Sequence, residues 1–301
     1  MAFESIQWFP GHMAKTRRMI AENLKNVDLV IELLDARIPE SSRNPEIARL
    51  TEGKPTLLLL NKASLADPAQ NRLWLDRLSG AETVPLLTDC VTGEGLNRLE
   101  PSIKKILAVK LERYADKGMS GRRVRAMVLG IPNVGKSSLI NRVSGNKKTR
   151  VEDRPGVTRE KQWVPTNIGV DLLDMPGILW PKFEDQRVGE NLALTGAIKD
   201  DILDTEGLAA LLCGRLKNSY PDLLAARYKL AEADLSLPDH ELFLRIGRKR
   251  GFLISGGEID TERTAAVLLD EFRAAKIGRI TLDQIETVGG VSNVGTFEAK
   301  H

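Results

Sequence analysis

Short apolar runs bounded by polar or glycine-containing turns recur through the first half of the chain, and helical stretches lie between them. The runs predict strands at residues 27–34, 56–60, 83–87 and 125–129, and the helical periodicity covers residues 70–78 and 96–111. Alternating strands and helices are typical of a mainly parallel sheet covered by helices on both faces. Two further runs, 162–165 and 170–173, flank a short turn and predict an antiparallel hairpin at the sheet edge.

The pattern changes to purely helical spacing in the second half. We expect helices at 188–198, 206–217, 240–249 and 262–275, with Thr261 as the cap of the last one. The fold class is therefore an α/β domain with a small C-terminal all-helical domain. We expect the first domain to span residues 1–184, with a connecting loop at 113–123, the helical domain 185–285, and a flexible polar tail 286–301.

Composition narrows the class of protein. The chain has 301 residues, 42% of them hydrophobic, and it has no apolar run of the eighteen or so residues that a membrane span needs. The N-terminal residues resemble neither a secretory signal nor a transit peptide, and two cysteines at unrelated positions indicate neither a disulfide framework nor a zinc site. We therefore expect a cytoplasmic protein with no membrane partner.

Positive charge is concentrated in one part of the chain. The net charge is only +3, but residues 104–150 contain thirteen Lys and Arg against two acidic residues. Such a block favours a polyanionic partner beyond one nucleotide, although a solvated surface is the alternative.

A glycine-rich motif follows the predicted strand 125–129 and precedes a helical stretch. It has the spacing of a phosphate-binding loop: Gly130-Ile131-Pro132-Asn133-Val134-Gly135-Lys136-Ser137. Backbone N–H groups at a helix N-terminus bind phosphate, Lys136 would contact the β and γ phosphates, and Ser137 would bind Mg²⁺. The residues predicted to bind nucleotide here are Asn133, Val134, Gly135, Lys136, Ser137 and Ser138.

Two downstream segments complete a predicted hydrolytic site. Asp174-Met175-Pro176-Gly177 ends a strand, so Asp174 can support the magnesium ion while the Gly177 N–H meets the γ-phosphate. Thr158 lies between the two motifs and is the expected second hydroxyl on the metal; the alternative for its segment is an ordinary exposed loop.

The motif Asn61-Lys62-Ala63-Ser64 follows another strand and is similar to the guanine-binding sequence Asn-Lys-x-Asp. Ser64 replaces the carboxylate that accepts two hydrogen bonds from guanine, so we expect weaker guanine selectivity unless Asp67 or a water compensates. Cys90 lies where a backbone N–H commonly contacts the guanine oxygen. This motif precedes the phosphate loop, the reverse of the usual GTPase order, which indicates a circular permutation.

The sequence closely resembles the ribosome biogenesis GTPase A family of circularly permuted GTPases. Besides the phosphate loop, the matching stretches are Gln7-Trp8-Phe9-Pro10-Gly11-His12-Met13-Ala14-Lys15, Asp35-Ala36-Arg37-Ile38-Pro39, Ser42-Arg43-Asn44-Pro45 and Pro176-Gly177-Ile178-Leu179-Trp180-Pro181. The resemblance implies a GTPase that acts on the precursor of the large ribosomal subunit and its rRNA, with no DNA partner expected. It also implies a C-terminal domain similar to RNA-binding antiterminator modules.

The resemblance also assigns residues. Ile178 occupies the position of the usual water-orienting Gln and cannot hydrogen-bond to water, so the family implies His12 in that role, beside Lys136 and Gly177 as catalytic residues. Without the resemblance, a lone His in an N-terminal arm would be an exposed or packing residue. Asn133 is implied as a possible K⁺ ligand, or it only shapes the loop.

The helical domain contains one strongly basic cluster, and it is the predicted RNA contact. It comprises Arg245, Arg248, Lys249 and Arg250. Such side chains bind phosphates without base selectivity, and a merely charged helix end is the alternative. Two alternatives to the GTPase hypothesis stay open: a nucleotide-gated RNA-binding scaffold with incidental hydrolysis, and an ATPase on the same fold.

Overall fold

The computed structural model describes residues 12–80, 83–119, 121–145, 162–180 and 183–286, with side chains described from residue 15 onward and excluding that of residue 162. Within these ranges, six strands form one sheet in the order β3-β2-β1-β4-β6-β5. The strands are β1 Leu29–Asp35, β2 Thr56–Asn61, β3 Thr83–Leu87, β4 Val124–Gly130, β5 Gln162–Pro165 and β6 Val170–Asp174.

The central strands are apolar because they are covered on both faces. Every residue of β1 is buried, and β2 and β4 are nearly so. Strands β1, β2, β3, β4 and β6 run parallel, with Asp35 opposite Asn61 and Leu33 opposite Gly130. The carboxyl ends of β1, β2 and β4 therefore lie side by side at one edge.

The predicted hairpin is confirmed at the end of the sheet. Strand β5 pairs antiparallel with β6, with Trp163 opposite Leu173 and Val164 opposite Leu172. The observed sheet is thus mainly parallel with one antiparallel edge strand, as the sequence predicted.

Helices connect and follow the strands. In chain order they are α1 His12–Leu24, α2 Pro45–Leu50, α3 Pro68–Leu78, α4 Leu99–Ile106, α5 Ala108–Asp116, α6 Lys136–Ser144, α7 Gln186–Leu194, α8 Thr205–Ser219, α9 Pro221–Tyr228, α10 Glu232–Leu235, α11 Asp239–Lys249 and α12 Thr261–Arg273. Short 3₁₀ helices lie at Ala63–Leu65, Leu96–Arg98 and Asp200–Ile202.

Four local predictions were wrong. The helix expected at 188–198 ends at Leu194, shortly before Gly196, whose left-handed φ of 77° is incompatible with a continuing helix. The helix expected at 96–111 is interrupted at the buried Leu107, which has a non-helical ψ of 10°. The loop expected from residue 113 begins later, because α5 continues to Asp116 and Tyr114 Oη donates to Asp28 at 3.0 Å. The cap of α12 is Asp260, whose carboxylate accepts from the Arg263 N–H, and Thr261 is the first helical residue.

The helical region is packed against the sheet region. One cluster of buried apolar side chains includes residues from both, such as Leu129, Leu179, Leu192 and Leu212. Residues 277–286, which we name the C-terminal segment, leave the last helix and return to the loops after β1 and β2. Among the described residues, no helix combines the length and apolar character that a membrane span requires.

Candidate nucleotide site

Asn61 joins three loops at the edge where the parallel strands end. Its Nδ2 donates to the Val134 carbonyl at 2.7 Å, and its Oδ1 accepts from the Cys90 N–H at 3.0 Å. Because Val134 follows β4 and Cys90 follows β3, one side chain connects the phosphate loop, the Asn61–Ser64 motif and the loop after β3. Residues far apart in the sequence, and in reversed order, are thus adjacent in space.

The phosphate loop has the geometry that its sequence predicts. Helix α6 begins at Lys136, directly after Gly135, whose φ of 107° favours glycine. A Cβ at Gly135 would also collide with Asn61 Nδ2. Lys136 Nζ is buried and donates to the carbonyls of Gly130 at 3.1 Å and Ile131 at 2.8 Å. Burial lowers the pKa of Lys136 to about 8, against the opposing effect of Asp174.

Asp174 ends β6 close to this lysine. Its Oδ1 is buried and has no hydrogen-bond partner among the described residues. Burial raises the pKa of this carboxyl to about 6, although Lys136 and the Met175 N–H act in the opposite direction. A buried carboxylate oxygen without a partner among the described residues suits a hard divalent cation such as Mg²⁺, for which the Ser137 hydroxyl in the first turn of α6 is the predicted second ligand.

Gly177 lies against the phosphate loop with no space for a side chain. A Cβ there would be 2.8 Å from Pro132 Cα and 3.1 Å from Lys136 Nζ. The next residue, Ile178, is fully buried in the apolar core, and its N–H donates to the Gly130 carbonyl at 3.2 Å. The Ile178 side chain is therefore a packing residue and presents no group that orients water.

Lys62 has a left-handed backbone conformation and forms an ion pair with Asp35 at the end of β1. Its φ is 61°, and Nζ lies 3.0 Å from Asp35 Oδ2. Arg37 Nη2 contacts the same oxygen at 2.7 Å. Burial alone would raise the pKa of Asp35, but Arg37 and Lys62 together hold it well below its usual value. The buried carboxylate thus fixes the lysine at the end of β2.

Ser64 contacts a carboxylate that the sequence interpretation did not identify. Its Oγ donates to Asp89 Oδ2. Asp67, one of the two groups that could have compensated for the missing carboxylate, instead caps α3 through the Ala69 N–H and accepts from Tyr220 Oη. The position of Asp89 beside Cys90 was the available clue, but that loop had been assigned only a backbone contact.

Four predicted site residues remain, of which Asn133 and Ser138 lie fully within the described ranges. Asn133 has a φ of 56° and donates its amide to the Gly196 carbonyl at 2.8 Å, and Ser138 lies in the first turn of α6. His12 is the first residue of α1, but its side chain lies outside the described residues, as does the whole of Thr158.

Three of the four predicted RNA-binding residues form ion pairs within the helical region. Arg245 and Lys249 contact Asp234 at 3.1 and 3.8 Å, and Arg250 contacts Glu271 at 2.9 Å. Arg248 is exposed. Ion pairing reduces the charge that this cluster offers to a polyanion.

Comparison with known proteins identifies the family. A family model described as 50S ribosome-binding GTPase matches residues 125–234. Ribosome biogenesis GTPase A of Priestia megaterium is 48% identical over 280 residues, covering 93% of this chain and 96% of the relative. Mitochondrial ribosome-associated GTPase 1 of Mus musculus is 35% identical over 297 residues, covering 92% and 90%.

A solved structure agrees with the fold. GDP-bound YlqF of T. maritima aligns with a TM-score of 0.61 at 24% identity, covering 89% of this chain and 99% of that chain. At this identity the likeness concerns the fold, a circularly permuted GTPase domain followed by helices. The 48% identity to ribosome biogenesis GTPase A over nearly the whole of both chains shows that this chain belongs to the ribosome biogenesis GTPase A family and is a GTP hydrolase.

Proposed function

We propose that this GTPase binds rRNA in precursors of the large ribosomal subunit, promotes a late step of their assembly, and leaves after hydrolysing GTP to GDP and phosphate. The names of the bacterial relatives support a role in ribosome biogenesis. We also propose a cytoplasmic location, because bacterial ribosomes assemble in the cytoplasm. The GTP-dependent part of this function is supported above all by the contact of Asn61 with Val134, since it joins the proposed base-binding motif to the phosphate loop.

The nucleotide roles follow from this arrangement. The backbone of the phosphate loop and Lys136 would hold the phosphates, and Gly177 would sense the γ-phosphate. Ser137 and Asp174 would hold Mg²⁺, together with Thr158, which lies outside the described residues. The partnerless Asp174 oxygen and the close approach of Gly177 to Pro132 support these assignments. When bound, Mg²⁺ would neutralise charge on the phosphates.

His12 is the proposed water-orienting residue. The buried Ile178 supports this role, because the position that usually carries the water-orienting Gln here has no polar group. Helix α1, which begins at His12, is linked to this part of the site through α2: Arg17 pairs with Glu46 at 2.8 Å, and Asn44 Nδ2 donates to the Ile178 carbonyl at 3.2 Å. We propose that RNA docking completes the alignment of His12, which gives low turnover without RNA.

Two exposed arginines that lie over aromatic rings support RNA binding beyond Arg248. Arg122 stacks on Tyr114 with its guanidinium 4.6 Å from the ring centroid, and Arg125 lies 5.4 Å from that of Trp163. Both arginines are exposed, and Trp163 is 40% exposed on the edge strand. Stacked guanidinium and aromatic groups at a surface suit phosphates and unpaired bases.

Potassium remains a proposed second cation. Asn133 is its candidate ligand, while the bond from this side chain to Gly196 supports the alternative that Asn133 shapes the loop. Replacing K⁺ by Na⁺ at constant ionic strength tests the choice: GTP turnover falls if Asn133 helps to hold K⁺ and stays constant if it only shapes the loop.

Turnover measurements separate the catalytic proposal from the scaffold alternative. GTP hydrolysis is measured with and without large-subunit precursor particles, for the parent chain and for His12→Ala. We expect stimulation by particles in the parent, a loss of about 100-fold in stimulated kcat in the variant, and unchanged GDP affinity in both. Equal turnover of parent and variant would favour the scaffold, in which hydrolysis is incidental.

A further inference from the structure

The hydrogen bond between Ser64 and Asp89 suggests how this chain recognises guanine without the usual carboxylate. We propose that Ser64 Oγ accepts the hydrogen bond from the guanine edge, and that Asp89 behind it is the positioning residue that makes this hydroxyl an acceptor. The inference rests on the nucleotide site proposed above and adds the determinant of its base selectivity.

The two side chains differ in exposure in the way this role requires. Ser64 is half-buried in the 3₁₀ helix that follows Asn61, whereas Asp89 is only 3% exposed. Oδ2 of Asp89 accepts from Ser64 Oγ, and Oδ1 accepts from the N–H groups of Val91 and Thr92, each at 2.9 Å. The hydroxyl therefore lies between solvent and a fixed negative charge.

This carboxylate is held in its ionised form. Burial alone would raise the pKa of Asp89, but the hydrogen bonds from Ser64, Thr92 and Val91 lower it below its usual value. The neighbouring Cys90 thiol responds to the same charge, because burial and Asp89 together raise its pKa to about 12. A charged acceptor gives a stronger hydrogen bond than a neutral one.

The direction of this bond decides what Ser64 offers to a base. A hydroxyl has one proton and two lone pairs, and here the proton is given to Asp89. Only lone pairs then face the base, so Ser64 accepts from the N1–H or the 2-amino group of guanine. At these two positions adenine has an acceptor, N1, and no amino group, so the hydroxyl has no donor there from which to accept a hydrogen bond.

The 3₁₀ helix that holds Ser64 is fixed from several sides. The Ala63 N–H donates to the Thr88 carbonyl at 3.1 Å, and the Ala63 carbonyl accepts from Asn71 and Arg279. The backbone around Ser64 is therefore held next to the loop that contains Asp89, which keeps the Ser64 hydroxyl within reach of the Asp89 carboxylate.

Asp89→Asn reverses the polarity of the pair with little change in shape. The Val91 and Thr92 N–H groups fix the amide oxygen on their side, so the amide NH₂ points at Ser64 Oγ and donates to it. The Ser64 proton is then free to point outward. The site changes from an acceptor to a donor, which disfavours guanine and suits adenine N1.

Calorimetric titration with Mg²⁺-GDP and Mg²⁺-ADP tests this on the full chain. The readout is the ratio of the two dissociation constants, because changes that only loosen the phosphate site move both constants together. We expect Asp89→Asn and Ser64→Ala each to reduce the preference for GDP by about tenfold or more. The matched control is Asp67→Asn, which alters the carboxylate of the helix cap nearby and should keep the parent ratio.

A rescue variant distinguishes positioning from mere structural support. Ser64→Asp alone places two carboxylates side by side and should lower both the thermal midpoint and GDP affinity. Ser64→Asp/Asp89→Asn removes the repulsion and lets the new amide donate to the new carboxylate, so the preference for GDP should return to the parent level or above it.

Three results would overturn the proposal: a GDP-to-ADP preference within twofold of the parent in folded Asp89→Asn, the same finding in Ser64→Ala, or a loss of preference in Asp67→Asn equal to that in Asp89→Asn. A parent chain that binds neither nucleotide would instead overturn the nucleotide site itself. The two failures are therefore distinguishable.

Discussion

Glu32 is a carboxyl group buried in the middle of β1, and its Oε1 has no hydrogen-bond partner among the described residues. Burial raises its pKa to about 7, although the charge of Arg43 acts in the opposite direction. The folded protein therefore keeps a proton on Glu32 that the unfolded chain, with the usual pKa of 4.5, releases. This contribution to stability is complete below pH 4.5 and is lost as the pH rises through 7.

Glu32→Gln should become more stable relative to the parent as the pH rises. Because glutamine is neutral throughout, the gain in the free energy of unfolding between pH 5 and pH 8 should reach about 3 kcal/mol. Urea unfolding at both pH values measures it, with the exposed Glu94→Gln as the matched control. A difference between Glu32→Gln and the parent that does not vary with pH would contradict the assigned burial of an ionisable group.

For single residues, the sequence indicates which side chains are candidates for the site better than it indicates the contacts that each side chain makes. The phosphate loop, Asp174 and Asn61 could be proposed from the sequence because motifs that bind a nucleotide have a characteristic spacing, and the structure brings these three segments to one edge of the sheet. The position of Asp89 next to Cys90 marked its loop, but its contact with Ser64 could not be predicted, because that contact depends on how the ends of β2 and β3 lie side by side. The ion pairs of Arg245, Lys249 and Arg250 were unpredicted for the same reason.

The C-terminal segment (residues 277–286) connects the helical region to residues 63–66, which we name the base-binding loop because they include Ser64, the proposed contact of the base. Arg279 donates to the carbonyls of Ala63 and Ala66, both at 2.9 Å, and the Ile280 N–H donates to the Leu65 carbonyl at 3.1 Å. These bonds satisfy the backbone of the 3₁₀ helix that contains Ser64. The segment therefore contributes to the shape of a site from which it is distant in sequence.

Arg279→Ala should weaken guanine nucleotide binding several-fold, because the base-binding loop loses two of its supporting hydrogen bonds, each worth about 1 kcal/mol. Titration with Mg²⁺-GDP measures the effect. Arg187→Ala is the matched control, since Arg187 contacts the same segment at the Leu282 carbonyl and not the loop. Equal GDP affinity of Arg279→Ala and the parent would show that the loop holds its shape without this support.

Elements were predicted well where burial dictates the pattern. Strands β1 to β6 were located to within about two residues, because runs of buried side chains bounded by turns have few alternative structures. Helices α1, α2, α9 and α10 were missed, since they bury few apolar residues in sequences of mixed polarity. The break between α4 and α5 was missed because the apolar spacing continues through Leu107, which is itself buried.

On the scale of the whole molecule, the exposed Arg125 and Trp163 face and the exposed Arg248 are separate candidates for contact with rRNA. We expect Arg125→Ala/Trp163→Ala to weaken binding to large-subunit rRNA fragments about tenfold, through lost stacking and one lost phosphate contact. Binding is measured by fluorescence anisotropy at two salt concentrations. Arg72→Ala removes one charge from the exposed surface of α3 and is the control. Unchanged affinity of the double variant would assign RNA binding to another surface.

The central claim is that motifs in permuted order form one site for a guanine nucleotide. The most direct measurement is a high-resolution structure of the chain with Mg²⁺ and a non-hydrolysable GTP analogue. A single site requires phosphates on the loop that contains Lys136, the metal on Ser137 and Asp174, and the guanine edge within hydrogen-bond distance of Asn61 and Ser64. A nucleotide whose base lies away from Asn61 and Ser64, or whose phosphates lie elsewhere than the phosphate loop, would contradict it.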